Sequence, residues 1–255
     1  MLTLLKQFLY SFRVYRVYVH KKVSLGNFAT YNHQDLSLFR LPKFSAEEPR
    51  IPSEIDFQNI LQTIEDHLNR NRVIKILDFG GGDLGLFRLV SERFGPEKFQ
   101  WVLVEVPNMY LQIQEEWGKP QAGFKFVSNG FMVAEFPNLT ICNDIPEETF
   151  DICIAGAVLG WVESPKEVLR RLTFVSKSLV ITRTLMEAKL ERLAIQRTIV
   201  GNKHINLKCW LLDSRSLTGL TNMTVVNSWL SSETPIYTIF GKWHFRSLVM
   251  SHEII

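Results

Sequence analysis

Residues 76–87 read ILDFGGGDLGLF, an apolar run cut by three consecutive glycines, Gly80, Gly81 and Gly82, with a fourth at Gly85 and an aspartate, Asp78, just ahead of them. Before the glycines, VIKILDF (73–79) is short, apolar and rich in β-branched residues, the composition of a buried strand. After them, LFRLVSERFG has apolar residues at helical spacing and closes at Gly95-Pro96. Strand, tight glycine turn and helix make half of a βαβ unit, and the pattern recurs downstream. FQWVLVEV (99–106) predicts a second strand and NMYLQIQEEWG a helix closed by Gly118. NLTIC (138–142) and FDICIAGAVL (150–159) predict further strands, SPKEVLRRLTFV a helix, and SKSLVITRT (176–184) a fifth strand. Strands that are apolar throughout, separated by amphipathic helices, describe a doubly wound α/β fold, a mostly parallel sheet with helices on both faces. In the tail, LMEAKLERLAIQRTIV (185–200) predicts one more helix. MTVVNSWL and PIYTIFGKWHFRSLVM predict antiparallel strands that complete the C-terminal edge of the sheet.

The chain of 255 residues is long enough, and at 46% hydrophobic apolar enough, for one good-sized core. Residues 1–52 read as a basic aromatic arm and a proline-punctuated lead-in, and residues 53–255 as a single α/β domain opening on a helix, SEIDFQNILQTIEDHLNRN, with Ser53 as its N-cap. Residues 1–34 hold Lys6, Arg13, Arg16, Lys21 and Lys22 and no acid, so the remaining 221 residues carry a net −2 against the +3 of the whole chain. The basic character therefore belongs to the arm, and the body offers no nucleic-acid surface. In the arm, the charges follow and interrupt the apolar residues and no small-residue cleavage site appears, unlike a signal peptide. Read as a helix, Phe8, Phe12, Tyr15 and Val19 share one stripe and Arg13, Arg16 and His20 another. That suits weak association with an anionic membrane surface. The preferred reading is a first helix packed on the body or on a partner subunit, because Tyr10, Val14 and Tyr18 interrupt the polar face. No stretch approaches the ~20 apolar residues that a spanning helix needs. Cys142, Cys153 and Cys209 are odd in number and widely spaced, with neither a disulfide framework nor a zinc spacing, as expected in a reducing cytoplasm. The histidines are scattered, so no metal is expected.

In open parallel sheets, ligands bind outside the carboxyl ends of the strands where the strand order reverses, and the glycine turn faces that crevice. Glycines there permit positive φ and leave no Cβ between the backbone and a ligand. Gly80, Gly82 and Gly85 satisfy G-x-G-x-x-G, and Glu105 follows Gly85 by 20 residues at the end of the next strand, which is a dinucleotide fingerprint. Asp78, two residues before Gly80, argues otherwise: a carboxylate beside a pyrophosphate repels it. The same carboxylate suits a ligand with an ammonium group at the first turn and a ribose diol for Glu105, and S-adenosylmethionine is such a ligand. A turn that merely packs strand against helix is the competing explanation. The placement of both Asp78 and Glu105 at the crevice ends of their strands argues against it.

ILDFGGGDLG, WVLVEVPNMY, FDICIAGAVLGWVESPKEVL and LVITRT together resemble the class I S-adenosylmethionine-dependent methyltransferases. More narrowly, they are similar to a family of putative bacterial methyltransferases with the pattern DFGG-x-LG, V-E-V-P, F-D-hydrophobic-Leu-x-Tyr and a late R-T pair, often linked to surface-polysaccharide gene clusters. The resemblance covers residues 73–185, with KCWLLDS as a weaker match to a Tyr-Pro-x-Trp segment. It implies that Asp78 and Gly80, Gly81 and Gly82 form the methionine-binding turn and that Glu105 binds the ribose hydroxyls. After the third strand a polar side chain would meet the adenine, which makes Asn143 or Asp144 of CNDIP the candidate. FKFVSNG, with Asn129, competes for that strand; NLTICNDIP is preferred because it leads to FDICIAG after a short spacing. Three departures stand out: the glycine turn is one residue longer, Gly160-Trp161 replaces a polar residue followed by Tyr, and Leu185 rather than Pro follows the R-T pair.

The expected activity is methyl transfer to an oxygen or nitrogen of a small-molecule or saccharide acceptor. The alternatives are an NAD-dependent oxidoreductase, for which no Tyr-x-x-x-Lys or paired His/Asp pattern is evident, and a cofactor-binding protein without turnover. A general base for a hydroxyl acceptor would come from Glu163, His33 or His204, in that order. Trp161, beyond the fourth strand, sits where an acceptor approaches or packs as a lid on the adenosine. Arg183 is expected in a salt bridge to a carboxylate of the body, with an acidic acceptor as its alternative partner. Tyr31, Asn32 and His33 read as an ordinary loop. Asp78 and Glu105, assigned to an open crevice, are expected to be partly solvated and removable at little cost in stability. Self-association stays open.

Overall fold

The structure, a computed structural model, describes residues 16–18, 53–82, 84–117, 124–127, 130–133, 136–187, 191–200, 203–232, 236–238 and 241–252. The elements in chain order are β1 (Arg16–Tyr18), α1 (Glu54–Leu68), β2 (Ile74–Phe79), α2 (Gly85–Phe94), β3 (Phe99–Val104), α3 (Pro107–Trp117), β4 (Phe124–Val127), β5 (Gly130–Val133), β6 (Phe136–Cys142) and β7 (Phe150–Gly156). They continue with a 3-10 turn (Leu159–Trp161), α4 (Pro165–Val175), β8 (Ser176–Glu187), β9 (Arg192–Val200), β10 (Lys203–Asp213), α5 (Ser214–Thr218), β11 (Thr224–Leu230), β12 (Ile236–Thr238), β13 (Gly241–Trp243) and β14 (Phe245–Ser251).

The centre of the sheet runs β6-β3-β2-β7-β8, all parallel. Each of these strands is apolar on both faces because each face is covered. On β2, Ile74 and Ile76 join Ile60 and Ile64 of α1, Phe87 and Val90 of α2 and Ile113 of α3, whereas Leu77 joins Leu169 and Leu172 of α4 on the other side. Phe87, Phe99, Trp101 and Phe136 meet edge to face in the first layer, with ring centroids 5.4–6.2 Å apart, a geometry that adds to the burial of each ring. The doubly wound α/β expectation is therefore met, and the third strand is NLTIC rather than FKFV, since β6 pairs with β3 in parallel.

Antiparallel strands flank this centre on both sides. β14 pairs with β8 and β11 with β14, completing the C-terminal edge as expected, but among the described residues β12 and β13 of the same tail pair only with each other, in a separate two-stranded sheet. The β4–β5 hairpin extends the opposite edge from β6. Two sequence expectations are corrected. Within 185–200, the described residues do not form a helix: β8 runs on to Glu187, and β9 (Arg192–Val200) pairs antiparallel with β10 over its whole length. In the arm, Arg16–Tyr18 is a strand on β9 rather than part of a helix; the rest of the arm and the lead-in, with Tyr31, Asn32 and His33, lie outside the described residues. None of the described helices is long and apolar enough to cross a membrane.

Candidate functional site

The strand order reverses at β2: β3 lies on one side of it and the later strand β7 on the other, so the crevice opens above the carboxyl ends of β2 and β7. The ladders run one residue past each strand. Gly80 N–H donates to the Val104 carbonyl (2.8 Å), Glu105 N–H to Cys142 (2.9 Å) and Ala157 N–H to Thr182 (2.9 Å). The chain then leaves the sheet through Gly80 (φ +71°) and Gly82 (φ +70°), conformations that only glycine adopts without strain. A Cβ on Gly80 would lie 2.7 Å from Val158 Cγ2, and one on Gly81 would run into the Asp78 carboxylate and Leu103. The turn is thus shaped around its own aspartate.

Asp78 is 2% exposed and Glu105 7% exposed, which corrects the expectation of partly solvated carboxylates. The reason is local. Asp78 is the penultimate residue of β2 and tucks beneath Gly81, while Glu105 turns back from the end of β3 to accept a 2.6 Å hydrogen bond from Gly82 N–H and a weaker one from Val106 N–H at 3.3 Å. Two carboxylates therefore flank one glycine turn, and one of them holds a turn amide of the kind that would otherwise face an anion. A phosphate at this turn meets like charge on both sides. An ammonium group or a pair of hydroxyls meets acceptors.

Asn143 and Asp144 follow β6 and are both exposed. Asp144 pairs with Arg171 of α4 at 2.8 Å and accepts from Ile145 N–H at 2.9 Å; the Arg171 hydrogen bond holds its carboxyl below the ordinary aspartate value. Asp144 thus leans toward α4 and Asn143 stands without that engagement. Trp161 packs against Leu185, Ala194, Cys209, Leu211 and Trp243, and the neighbouring Gly160 would place a Cβ 3.2 Å from the Trp210 carbonyl. The small residue at this departure from the family pattern lets the 3-10 turn dock on β10, a bond sealed by Trp210 Nε1 donating to the Glu163 carbonyl at 3.2 Å. The Glu163 side chain is exposed just beyond β7. His204 lies at the start of β10, opposite Ile199 of β9, so it is not placed on the β10 segment that joins β8. His33 lies outside the described residues.

Arg183 does not form the expected ion pair among the described residues. It is one of three described non-glycine residues with positive φ; of the others, Ala157 directly follows β7 and Leu84 caps α2 after the glycine turn, while Arg183 itself lies within β8 at the level where β7 ends. Such strain amounts to about 1–3 kcal/mol per residue and persists where surrounding contacts enforce it. One enforcing element escaped sequence reading. Asp56, fully buried in the first turn of α1, accepts from Trp229 Nε1 (2.7 Å), Ser231 Oγ (2.8 Å), Ser247 Oγ (2.6 Å) and Ser53 Oγ. Ser53, Asp56 and a helical run were legible; partners more than 170 residues away were not.

A cavity of about 490 Å³ lined by Phe87, Arg88, Pro96, Phe136 and Asn138 among others lies where β3 and β6 begin, at the opposite end of the sheet from the crevice. Ligands of parallel sheets bind at carboxyl ends, so the crevice is the candidate site.

No family model matches the chain, and no curated protein matches it in sequence. In fold it is similar to the crystal structure of a putative sarcosine dimethylglycine methyltransferase from Galdieria sulphuraria, with TM-score 0.50 and 11% identity over 86% of this chain and 98% of that one. The cyclase SpnF matches with TM-score 0.49 and 11% identity over 94% of this chain and 100% of its own. Coclaurine N-methyltransferase, bound to N-methylheliamine and SAH, matches with TM-score 0.47 and 9% identity over 75% of this chain and 72% of its own. The first of these shows the fold, a Rossmann-like doubly wound sheet of methyltransferase type.

Proposed function

We propose that the chain is a methyltransferase that uses S-adenosylmethionine and passes the methyl group to an oxygen or nitrogen of a small-molecule or saccharide acceptor. The observation that carries this reading is the pair of buried carboxylates, Asp78 and Glu105, on either side of the glycine turn at the switch point. Their charge fits a ligand with an ammonium group and a ribose diol and opposes a pyrophosphate. The gap left by the missing side chain of Gly81 accommodates the Asp78 carboxylate itself, which presents it at the turn. The dinucleotide alternative is not favoured. A doubly wound dinucleotide fold continues with a sixth parallel strand beside the fifth, and here the reversed strand β14 runs along β8 from Ser178 to Leu185, while β10 meets it in parallel only at Met186 and Glu187.

When bound, S-adenosylmethionine supplies an electrophilic methyl group on a sulfonium centre. Asp78 takes the methionyl ammonium, and the backbone of Gly80, Gly81 and Gly82 lets the ligand approach closely. Glu105 accepts from the ribose hydroxyls; a carboxylate has about four lone-pair sites, so it does this while keeping the Gly82 amide. Asn143 is the better adenine partner, because Asp144 is engaged by Arg171. Much of the rate of a methyl transfer comes from holding the acceptor in line. For a hydroxyl acceptor, Glu163 is the best-placed candidate base, since it follows β7 at the crevice end; His33 and His204 come after it. By resemblance of motif, the acceptor is a precursor of a surface polysaccharide, modified in the cytoplasm. Incubating the protein with methyl-labelled S-adenosylmethionine and a panel of sugar nucleotides tests this. Label should appear in a sugar nucleotide; a protein that binds the cofactor but transfers no label to any panel member or other small hydroxyl or amine acceptor is a binding protein without turnover.

A further inference from the structure

We propose that Arg183 is the anion-recognition residue of the acceptor subsite, so that the acceptor carries a carboxylate or phosphate; this rests on the methyl-transfer reading of the crevice. Thr182 pairs with Gly156, the last residue of β7, and Ala155 beside it pairs with Phe79, the last residue of β2. Arg183 therefore sits within β8, one residue past the point where β7 stops pairing with it, on the same side of the sheet as the crevice end of β7 and two strands from β2. Its Nη2 lies 3.9 Å from where a Gly156 Cβ would stand, so the guanidinium reaches back over the end of β7.

The position is built rather than incidental. The β8–β14 register shifts between Arg246 and Leu248, which leaves Ser247 opposite the irregular step at Arg183 (φ +49°). Arg183 N–H donates to Ser247 Oγ at 3.0 Å, and that hydroxyl donates in turn to Asp56 Oδ1 at 2.6 Å. The buried carboxylate of Asp56 is further fixed by Trp229 and Ser231. The root of Arg183 is thus pinned in a strained conformation, while the other end of the side chain has a buried Nε with no acceptor, and no described carboxylate pairs with it. A guanidinium offers five N–H donors in a planar fork that matches carboxylate and phosphate. The crevice is then divided by charge: carboxylates over β2 and β3, where the ammonium and ribose go, and a cation over β7 and β8.

Calorimetric titration of inorganic phosphate into the wild-type protein saturated with S-adenosylhomocysteine tests the assignment, alongside Arg183→Asn, which suits a left-handed backbone, and Arg183→Lys, which keeps the charge and loses the fork. The expected result is phosphate binding that weakens roughly tenfold or more in Arg183→Asn and less in Arg183→Lys, with S-adenosylhomocysteine affinity within about twofold in all three. Equal phosphate affinity in wild type and Arg183→Asn, or no phosphate binding at all, overturns the proposal. So does a tenfold loss of S-adenosylhomocysteine affinity on substitution, which would assign the guanidinium to the cofactor's own carboxylate. A wild-type protein that fails to bind S-adenosylhomocysteine sinks the methyl-transfer reading instead, and Arg183-dependent phosphate binding would then uphold the anion site alone.

Discussion

Glu105 holds the Gly82 amide at 2.6 Å from a buried position, so it serves the turn as well as any ligand. Glu105→Ala is predicted to lose roughly ten- to a hundredfold in S-adenosylhomocysteine affinity and, because it leaves that amide without its acceptor, about 1–3 kcal/mol of stability in urea unfolding. An unchanged midpoint in the variant would mean the amide finds another acceptor. Asp78→Asn keeps the shape beneath Gly81 and removes the charge; its predicted effect is a similar loss of affinity with little change in stability. The thiols give a pH signature. Burial pushes Cys142 up to about 11 and Cys209 up to about 12, and raises Cys153 as well. A thiol raised in the fold stays protonated while the unfolded chain ionises near 9.0, so stability is intact below that pH and declines above it. Each thiol adds a slope of up to about 1.4 kcal/mol per pH unit until its folded value is reached. Urea midpoints that stay level from pH 8 to pH 10.5 would contradict the burial of these thiols.

At the scale of elements, Asp56 joins the first turn of α1 to β11 and β14. Asp56→Ala strands three or more buried donors and is predicted to cost about 3 kcal/mol or more, readable as a lowered urea midpoint, whereas a surface-like loss below 1 kcal/mol would show that the network is not closed in solution. The alternation of strands and helices from Ile74 to Val175 was legible because buried parallel strands are apolar on both faces and their helices keep a helical stripe. Residues 185–200 misled for a physical reason. LMEAKLERLA is rich in good helix formers, yet Arg192–Val200 pairs with β10 along a nine-residue ladder, and tertiary pairing overrides weak local preference. In the arm a signal was present: RVYRVYV is β-branched and aromatic, the composition of the strand that Arg16–Tyr18 forms. The candidate turn itself was readable down to Asp78 and Glu105, because glycines and carboxylates sit at fixed offsets from a strand. Their burial was not, since it depends on how Gly81 and Gly82 fold back over them. Nor was the isolation of Arg183, which depends on a bulge set by Ser247 from the far end of the chain.

Across the whole molecule, the proposed site lies at one end of a sheet in which, among the described residues, twelve strands join. β1 lies at the far end of the strand order, separated from β2 by β9, β10, β8 and β7. Deleting residues 1–22 removes β1 and most of the basic charge of the arm, and is predicted to leave S-adenosylhomocysteine affinity within about twofold, as distant independent sites behave. A large loss would tie the arm to the crevice. The proposed role of the two buried carboxylates is to make the glycine turn a site for a cationic nucleoside rather than for a pyrophosphate. Isothermal calorimetry of the full chain with S-adenosylhomocysteine and, separately, with NADH tests it most directly. The expected result is saturable binding of S-adenosylhomocysteine and none of NADH; binding of NADH without S-adenosylhomocysteine would overturn the role given to Asp78 and Glu105.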